Sequence, residues 1–233
     1  MSKRKECGKR IKRRRFLTVL LVFLLGVFLI RSIYGALADE DVLVRDTSAG
    51  ELSDEIVPGK LPMFFQTDNR WKDISYGDGT MELTGCGPTC LSMVLCGLNQ
   101  SAQYDPVTVA RFAQKDGYYA KGAGSSWTLM SEGAQKLGLI AREVTFDRAH
   151  IISELQQKRP IISVMGPGDF TTTGHYIVLC EIDLNNMVTV HDPNSRERSE
   201  RKWSLDQLMS QMKNLWSYRL KNERNESKKH IKQ

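Results

Sequence analysis

Cys86 lies in Gly85-Cys86-Gly87-Pro88-Thr89-Cys90, directly ahead of a run in which Leu91, Val94, Leu95 and Leu98 recur at helical spacing. Pro88 suits the first position of such a helix and Gly97 lies near its end, so the pattern predicts a helix over 88–98. A sulfur at that place faces unpaired N–H groups and the positive end of the helix dipole, both of which favour the thiolate. Thiols so placed, or paired with His, titrate at about 3.5 to 7.5, against about 8.5 for a free one. Cys86 is therefore the candidate nucleophile. The blander alternative, that Cys86 and Cys90 are small buried hydrophobes, is weaker for a chain that leaves the cytoplasm.

A thiolate needs a base, and the chain has four histidines, His150, His175, His191 and His230. His230 falls in a polar tail and His150 opens an expected helix. The other two separate by strand arithmetic. If 175–182 and 187–192 form a hairpin closed by Asp183-Leu184-Asn185-Asn186, then 182 faces 187 and Asp192 faces Ile177. Asp192 is then a diagonal neighbour of His175 on one side of the sheet, with about 7 Å between backbones. His191 points the other way. A one-residue slip would exchange the two faces. Cys86, His175 and Asp192 thus supply nucleophile, base and orienter for acyl transfer. For the developing oxyanion, Gln66 offers a side-chain N–H beside the backbone N–H of Cys86. Spacing alone leaves open a second reading, a surface Gln ending a strand with Phe64, Phe65 and Trp71 as core.

The elements that must hold these residues follow from periodicity. Helical patterns run through 106–114, 126–137 and 150–158; after Arg159 come short Ile- and Val-rich segments, 160–165, 175–182 and 187–192, that describe strands. A last amphipathic helix is expected over 204–213. Helices first and strands later predict an α+β domain in which an N-terminal helical part packs on an antiparallel sheet. The glycine-rich stretches 122–125 and 166–169 are candidate cleft-lining loops.

The ends of the chain differ from its body. Residues 1–15 carry nine Lys or Arg and one Glu, so the +8 they hold exceeds the whole chain's +6 and the remaining 218 of 233 residues sum to −2. From 39 to 218 there are 17 basic and 24 acidic residues, which removes the electrostatic case for nucleic acid as a partner. Residues 16–30 have Thr18 as their sole polar side chain and span about 22 Å as a helix, at about 1.5 Å per residue. Extended to 16–38, with Arg31 snorkelling outward, the segment crosses a bilayer core of about 30 Å. The basic leader then stays in the cytoplasm and the body is placed outside. A cleaved signal peptide ending at Ala36-Leu37-Ala38 is the alternative. Residues 39–58 read as an acidic solvated stalk, 59–218 as the folded domain and 219–233 as a basic frayed tail. Five cysteines are an odd, thinly spread set that builds neither a disulfide framework nor a zinc site, so no metal or other cofactor is expected.

These residues resemble the papain-like superfamily, and within it the bacteriocin-processing, double-glycine leader peptidases. The resemblance is carried by Gln66 with Trp71, by Gly85-Cys86-Gly87-Pro88-Thr89 leading into Leu91-Ser92-Met93-Val94, by Gly174-His175-Tyr176-Ile177-Val178-Leu179, and by Asp192-Pro193, over about residues 61–218. It implies a papain-like fold with Gln66 as oxyanion donor, Cys86 as nucleophile, His175 as general base and acid, and Asp192 as its orienter. It also favours Cys86 over Cys90, the sulfur that the plant-type motif would choose. Those relatives usually sit in ABC transporters on the cytoplasmic side, and this chain has no G-x-x-x-x-G-K-[ST] nucleotide motif, so leader cleavage does not carry over. The expectation is a membrane-anchored extracytoplasmic cysteine peptidase acting on a peptide or protein. An amidase, an acyltransferase, a cell-wall crosslink hydrolase and a non-catalytic peptide-binding module are the alternatives.

Overall fold

The computed structural model describes residues 25–29, 31 and 52–221. The basic leader, most of the expected membrane segment, the first part of the stalk and nearly all of the tail lie outside the described residues. Residues 25–29 are helical; among the described residues no helix is long and apolar enough to cross a membrane.

The sheet has six strands: β1 (Leu139–Glu143), β2 (Ile161–Met165), β3 (His175–Ile182), β4 (Met187–His191), β5 (Lys202–Ser204) and β6 (Met212–Leu220). Their order is β1-β6-β2-β3-β4-β5, and every neighbouring pair is antiparallel. Three longer helices accompany it: α1 (Cys86–Asn99), α2 (Pro106–Lys115) and α3 (Arg148–Gln156). Both faces of the sheet are covered. Tyr176 and Val178 of β3 join Leu91, Val94 and Leu95 of α1 in one core, whereas Ile177 and Leu179 join Ile151 and Leu155 of α3 in another. A strand buried on both sides has no polar alternation, which is why 176–179 reads as a continuous apolar run. Helix α1 is buried from Gly87 to Gly97, so it too is apolar on nearly every side.

Several boundaries differ from expectation. The packed part begins before residue 59: Leu52 is fully buried in the α1 core, Ile56 packs against it, and Glu55 pairs with Arg70 at 2.6 Å. An apolar pair four residues apart inside an acidic run was enough to dock the end of the expected stalk. At the other end, Arg219 and Leu220 belong to β6 rather than to a frayed tail, paired with Ile140 and Leu139. The helix expected over 204–213 stops at Met209, capped at its start by Ser204, and gives way to β6. A bulge between Met212 and Asn214 breaks the alternation that would have marked that strand. The helix expected over 126–137 is present from 127 to 136, but its middle, Leu129–Gly133, widens into a π-turn before the α-turn Ala134–Lys136.

The β3–β4 hairpin carries the most instructive difference. Ile182 faces Val188, not Met187, because Asn186 takes a left-handed conformation (φ 57°) and Asp183 Oδ1 accepts the N–H groups of Asn185 and Met187. That is a one-residue offset at the tip. A bulge at Cys180 cancels it: Glu181 faces Thr189, Leu179 faces Val190, and Val178 faces His191. Beyond the bulge the register is the expected one, with Asp192 in line with Ile177.

Candidate active site

Cys86 is the first residue of α1, so Pro88 is the third residue of the helix rather than its first. The position is still free of penalty, since the first four N–H groups of a helix have no acceptor within it. Gly87 is required by packing: a Cβ there would fall 2.3 Å from Ser125 Oγ and 2.5 Å from its Cβ. Ser125 is itself held, its Oγ against Tyr76 OH at 2.7 Å and its carbonyl accepting from Tyr176 OH at 3.0 Å. Gly87→Ala is accordingly expected to lower stability by about 1–3 kcal/mol, the usual cost of overpacking, as read from urea unfolding. An unchanged midpoint would mean that Ser125 yields freely.

Burial alone would raise the Cys86 thiol. The hydrogen bond and charge of His175, with the N–H groups of Tyr176 and Gly87, outweigh it and bring the thiol below its usual value. No other described cysteine is so placed. Burial pushes Cys90 well up, Cys96 up to about 12, and Cys180 up as well.

His175 opens β3 and is nearly buried, and its Nε2 lies 2.8 Å from Asp192 Oδ1. With Nε2 so engaged, Nδ1 is the ring nitrogen left for the Cys86 thiol, which lies close enough to shift the ring's pKa. Burial pulls the ring's pKa down, but the bonds and charges of Asp192 and Cys86 prevail and lift it to about 9. Asp192 is fully buried and follows β4 directly. Besides His175 it accepts from Arg198 Nε at 2.5 Å and from the Asn194 N–H at 2.8 Å, and its own N–H donates to Ser199 Oγ at 2.9 Å. Against the upward push of burial, the His175, Arg198 and Asn194 contacts keep this carboxyl below its ordinary range.

The other histidines go elsewhere. His191 turns to the opposite side, donating through Nδ1 to the Pro62 carbonyl at 3.1 Å, and burial pulls its pKa below the usual imidazole value. His150 is exposed on α3, and His230 lies outside the described residues.

Gln66 is 3% exposed, which removes the reading of it as a surface side chain. Its backbone N–H donates to Pro193 O at 2.8 Å, tying it to the Asp192 turn. Its Nε2 donates to Glu82 O at 2.6 Å, in the short helical turn Met81–Thr84 that delivers the chain to Cys86. A carbonyl partner fixes the amide orientation, leaving one Nε2 hydrogen free and Oε1 buried without a partner. Phe64 and Trp71 pack edge to face, and Trp71 Nε1 donates to Phe65 O at 2.8 Å, which anchors the loop from below.

Sequence reading missed Arg198 and Ser199. Their run, 194–200, is wholly polar and carries no sign that it folds back over Asp192. It also missed the Tyr76–Ser125–Tyr176 network behind Gly87. The stretch 166–169, expected as a candidate cleft-lining loop, is tethered by Asp169 Oδ2 accepting from Gln207 and Gln211 at 2.9 and 2.6 Å.

A helix-borne sulfur meeting a sheet-borne imidazole in a mixed helix and antiparallel-sheet domain is an arrangement found among peptidases. The chain belongs to the Peptidase_C39 like family, which it matches over residues 59–223. It is similar, at 20% identity, to the peptidase domain of Streptococcus ComA, a bi-functional ABC transporter involved in a quorum sensing pathway; the match covers 59% of this chain and 93% of that one, with a TM-score of 0.46. No curated protein matches it.

Proposed function

We propose that the chain is a membrane-anchored, extracytoplasmic cysteine peptidase that hydrolyses peptide bonds through Cys86, His175 and Asp192. The observation that carries this reading is the His175 ring, engaged on one side by a buried carboxylate and on the other by a thiol at a helix start. The Cys86 thiolate attacks the peptide carbonyl while the Cys86 N–H and the remaining Gln66 Nε2 hydrogen stabilise the oxyanion. Protonated His175 gives its proton to the leaving amine as the C–N bond breaks, leaving a thioester. Neutral His175 then takes a proton from water, the resulting hydroxide adds to the thioester, and the C–S bond breaks to release the acid and restore the ion pair. Asp192 stays ionised throughout and holds the ring. No step calls for a cofactor.

The pH dependence follows from the two shifts. His175 is protonated below about 9, and Cys86 ionises below the usual thiol value, so the reactive pair fills the interval between them. The rate of peptide hydrolysis should fall on the alkaline side near pH 9. Alkylation of Cys86 by iodoacetamide should titrate below about 8.5, the value for a free thiol. Labelling no faster than an exposed model thiol, with no inflection below pH 8, would end the enzymatic reading in favour of a binding module.

Anchoring and placement rest on the basic leader and the apolar run 16–30. A membrane-impermeant peptide carrying a thiol-directed warhead tests them: it should label Cys86 on intact cells, whereas labelling only after lysis places the site inside.

A further inference from the structure

Beside the site lies a polar cleft of about 340 Å³ lined by Phe65, Thr67, Asp68, Asn69, Asn194 and Arg196. Its walls continue chain already placed: Phe65 and Thr67 flank Gln66, and Asn194 follows Asp192 by two residues. The bond from the Gln66 N–H to Pro193 O stitches the two walls together. An occupant of the cleft therefore sits against the same loops that carry Gln66 and Asp192.

The charge balance of the cleft is one-sided. Asp68 is already satisfied, with Oδ1 accepting from the Arg70 N–H and Nε at 2.9 and 3.0 Å and Oδ2 accepting from the other end of that guanidinium at 2.7 Å. Arg196 has no such partner. Its exposed guanidinium lies 4.7 Å over the Phe65 ring, and no carboxylate among the described residues pairs with it. Stacking on a ring holds the planar group in place, so less freedom is lost when an anion arrives. Thr67, Asn69 and Asn194 add uncharged hydrogen-bonding groups around it.

We propose that this cleft is a subsite for a carboxylate of the substrate, on the leaving-group side of the scissile bond, with Arg196 as the charge that recognises it. The inference rests on the peptidase reading. The side is set by His175, which must reach the leaving amine; its partner Asp192 begins the turn that runs through Pro193 into the cleft wall. Two sources supply such a carboxylate, an acidic side chain just after the cleaved bond or the C-terminus of a short leaving fragment.

The test uses the full chain and internally quenched peptide mixtures of four kinds: neutral with an amidated end, the same with one fixed Asp or Glu, the same with a free C-terminal carboxylate, and the same with one fixed Lys. At least one carboxylate-bearing mixture should show kcat/KM about 10- to 100-fold above the neutral amides, the usual range for a charge-assisted contact. Mass analysis should place the carboxylate after the cleaved bond, and the better of the two mixtures names its source. Arg196→Gln should abolish the preference, Arg196→Lys should retain part of it, and Arg196→Glu should turn it toward the Lys mixture. Cleavage without preference, or a preference that survives Arg196→Gln, overturns the subsite and leaves the peptidase reading standing. No cleavage of any mixture, together with ordinary reactivity of Cys86, overturns both.

Discussion

Replacing Cys86 by Ala is expected to reduce peptide hydrolysis by about 10⁴- to 10⁶-fold, the scale on which loss of a nucleophile is felt in an acyl-transfer site. Cys90→Ala should keep the activity. The contrast is sharp because the two sulfurs sit one helical turn apart and differ in surroundings rather than in kind. Cys86 meets His175 and two N–H groups; Cys90 is buried in the α1 core, where burial and the nearby charges of Cys86 and Asp192 hold its thiol protonated. Equal hydrolysis by the Cys86 variant would dismiss the proposed mechanism. Loss on Cys90→Ala alone, with the variant folded, would transfer the role one turn along the helix.

The second large effect concerns Asp192. Asp192→Ala leaves the buried His175 ring and the quarter-exposed Arg198 guanidinium without the carboxylate between them, which should cost about 3 kcal/mol, the low end of the range for breaking a buried pair because Arg198 still reaches solvent. Urea unfolding at neutral pH should show that loss. The wild-type chain should show a related loss when acidified: the carboxyl titrates lower folded than unfolded, so its contribution is present above the unfolded value, near 3.8, and disappears as pH falls through the folded one. The raised His175 behaves in the opposite sense, contributing most below its unfolded value of about 6.5 and losing that as pH rises through about 9. Asp192→Asn separates charge from packing. It should move the alkaline fall in activity to lower pH, since the ring loses the anion that lifts it. An unchanged profile would mean that Asp192 only fills space.

The order Cys86, His175, Asp192 was legible because each residue stands at a boundary that local chemistry marks: a Gly-flanked helix start, a strand opening after Gly174, and an Asp-Pro turn. Strand β3 was legible to the residue for the same reason, with Gly174 and Asp183 at its ends. What was not legible depends on contacts between distant segments. Arg198 reaches Asp192 because Trp203, packed at a tilt against Phe170 with ring centres 4.5 Å apart, donates its Nε1–H to the Arg198 carbonyl at 2.9 Å and helps turn the polar run back. Leu52 looked like part of a solvated stretch until a core existed to receive it. Strand β1 ends in two exposed residues, and β6 begins with Met212 and Lys213 inside a segment with helical periodicity and is bulged before Asn214, so neither carried a clean two-residue repeat.

The bulge at Cys180 separates the hairpin mechanically into two parts. The outer part, with Leu184 fully exposed at its tip, carries the odd count of the turn; the inner part carries His175 and Asp192 and does not register it. Changes of length at the tip are therefore absorbed before they reach the working end, which makes 184–186 the natural place to splice in an epitope or a reporter without retuning the chemistry.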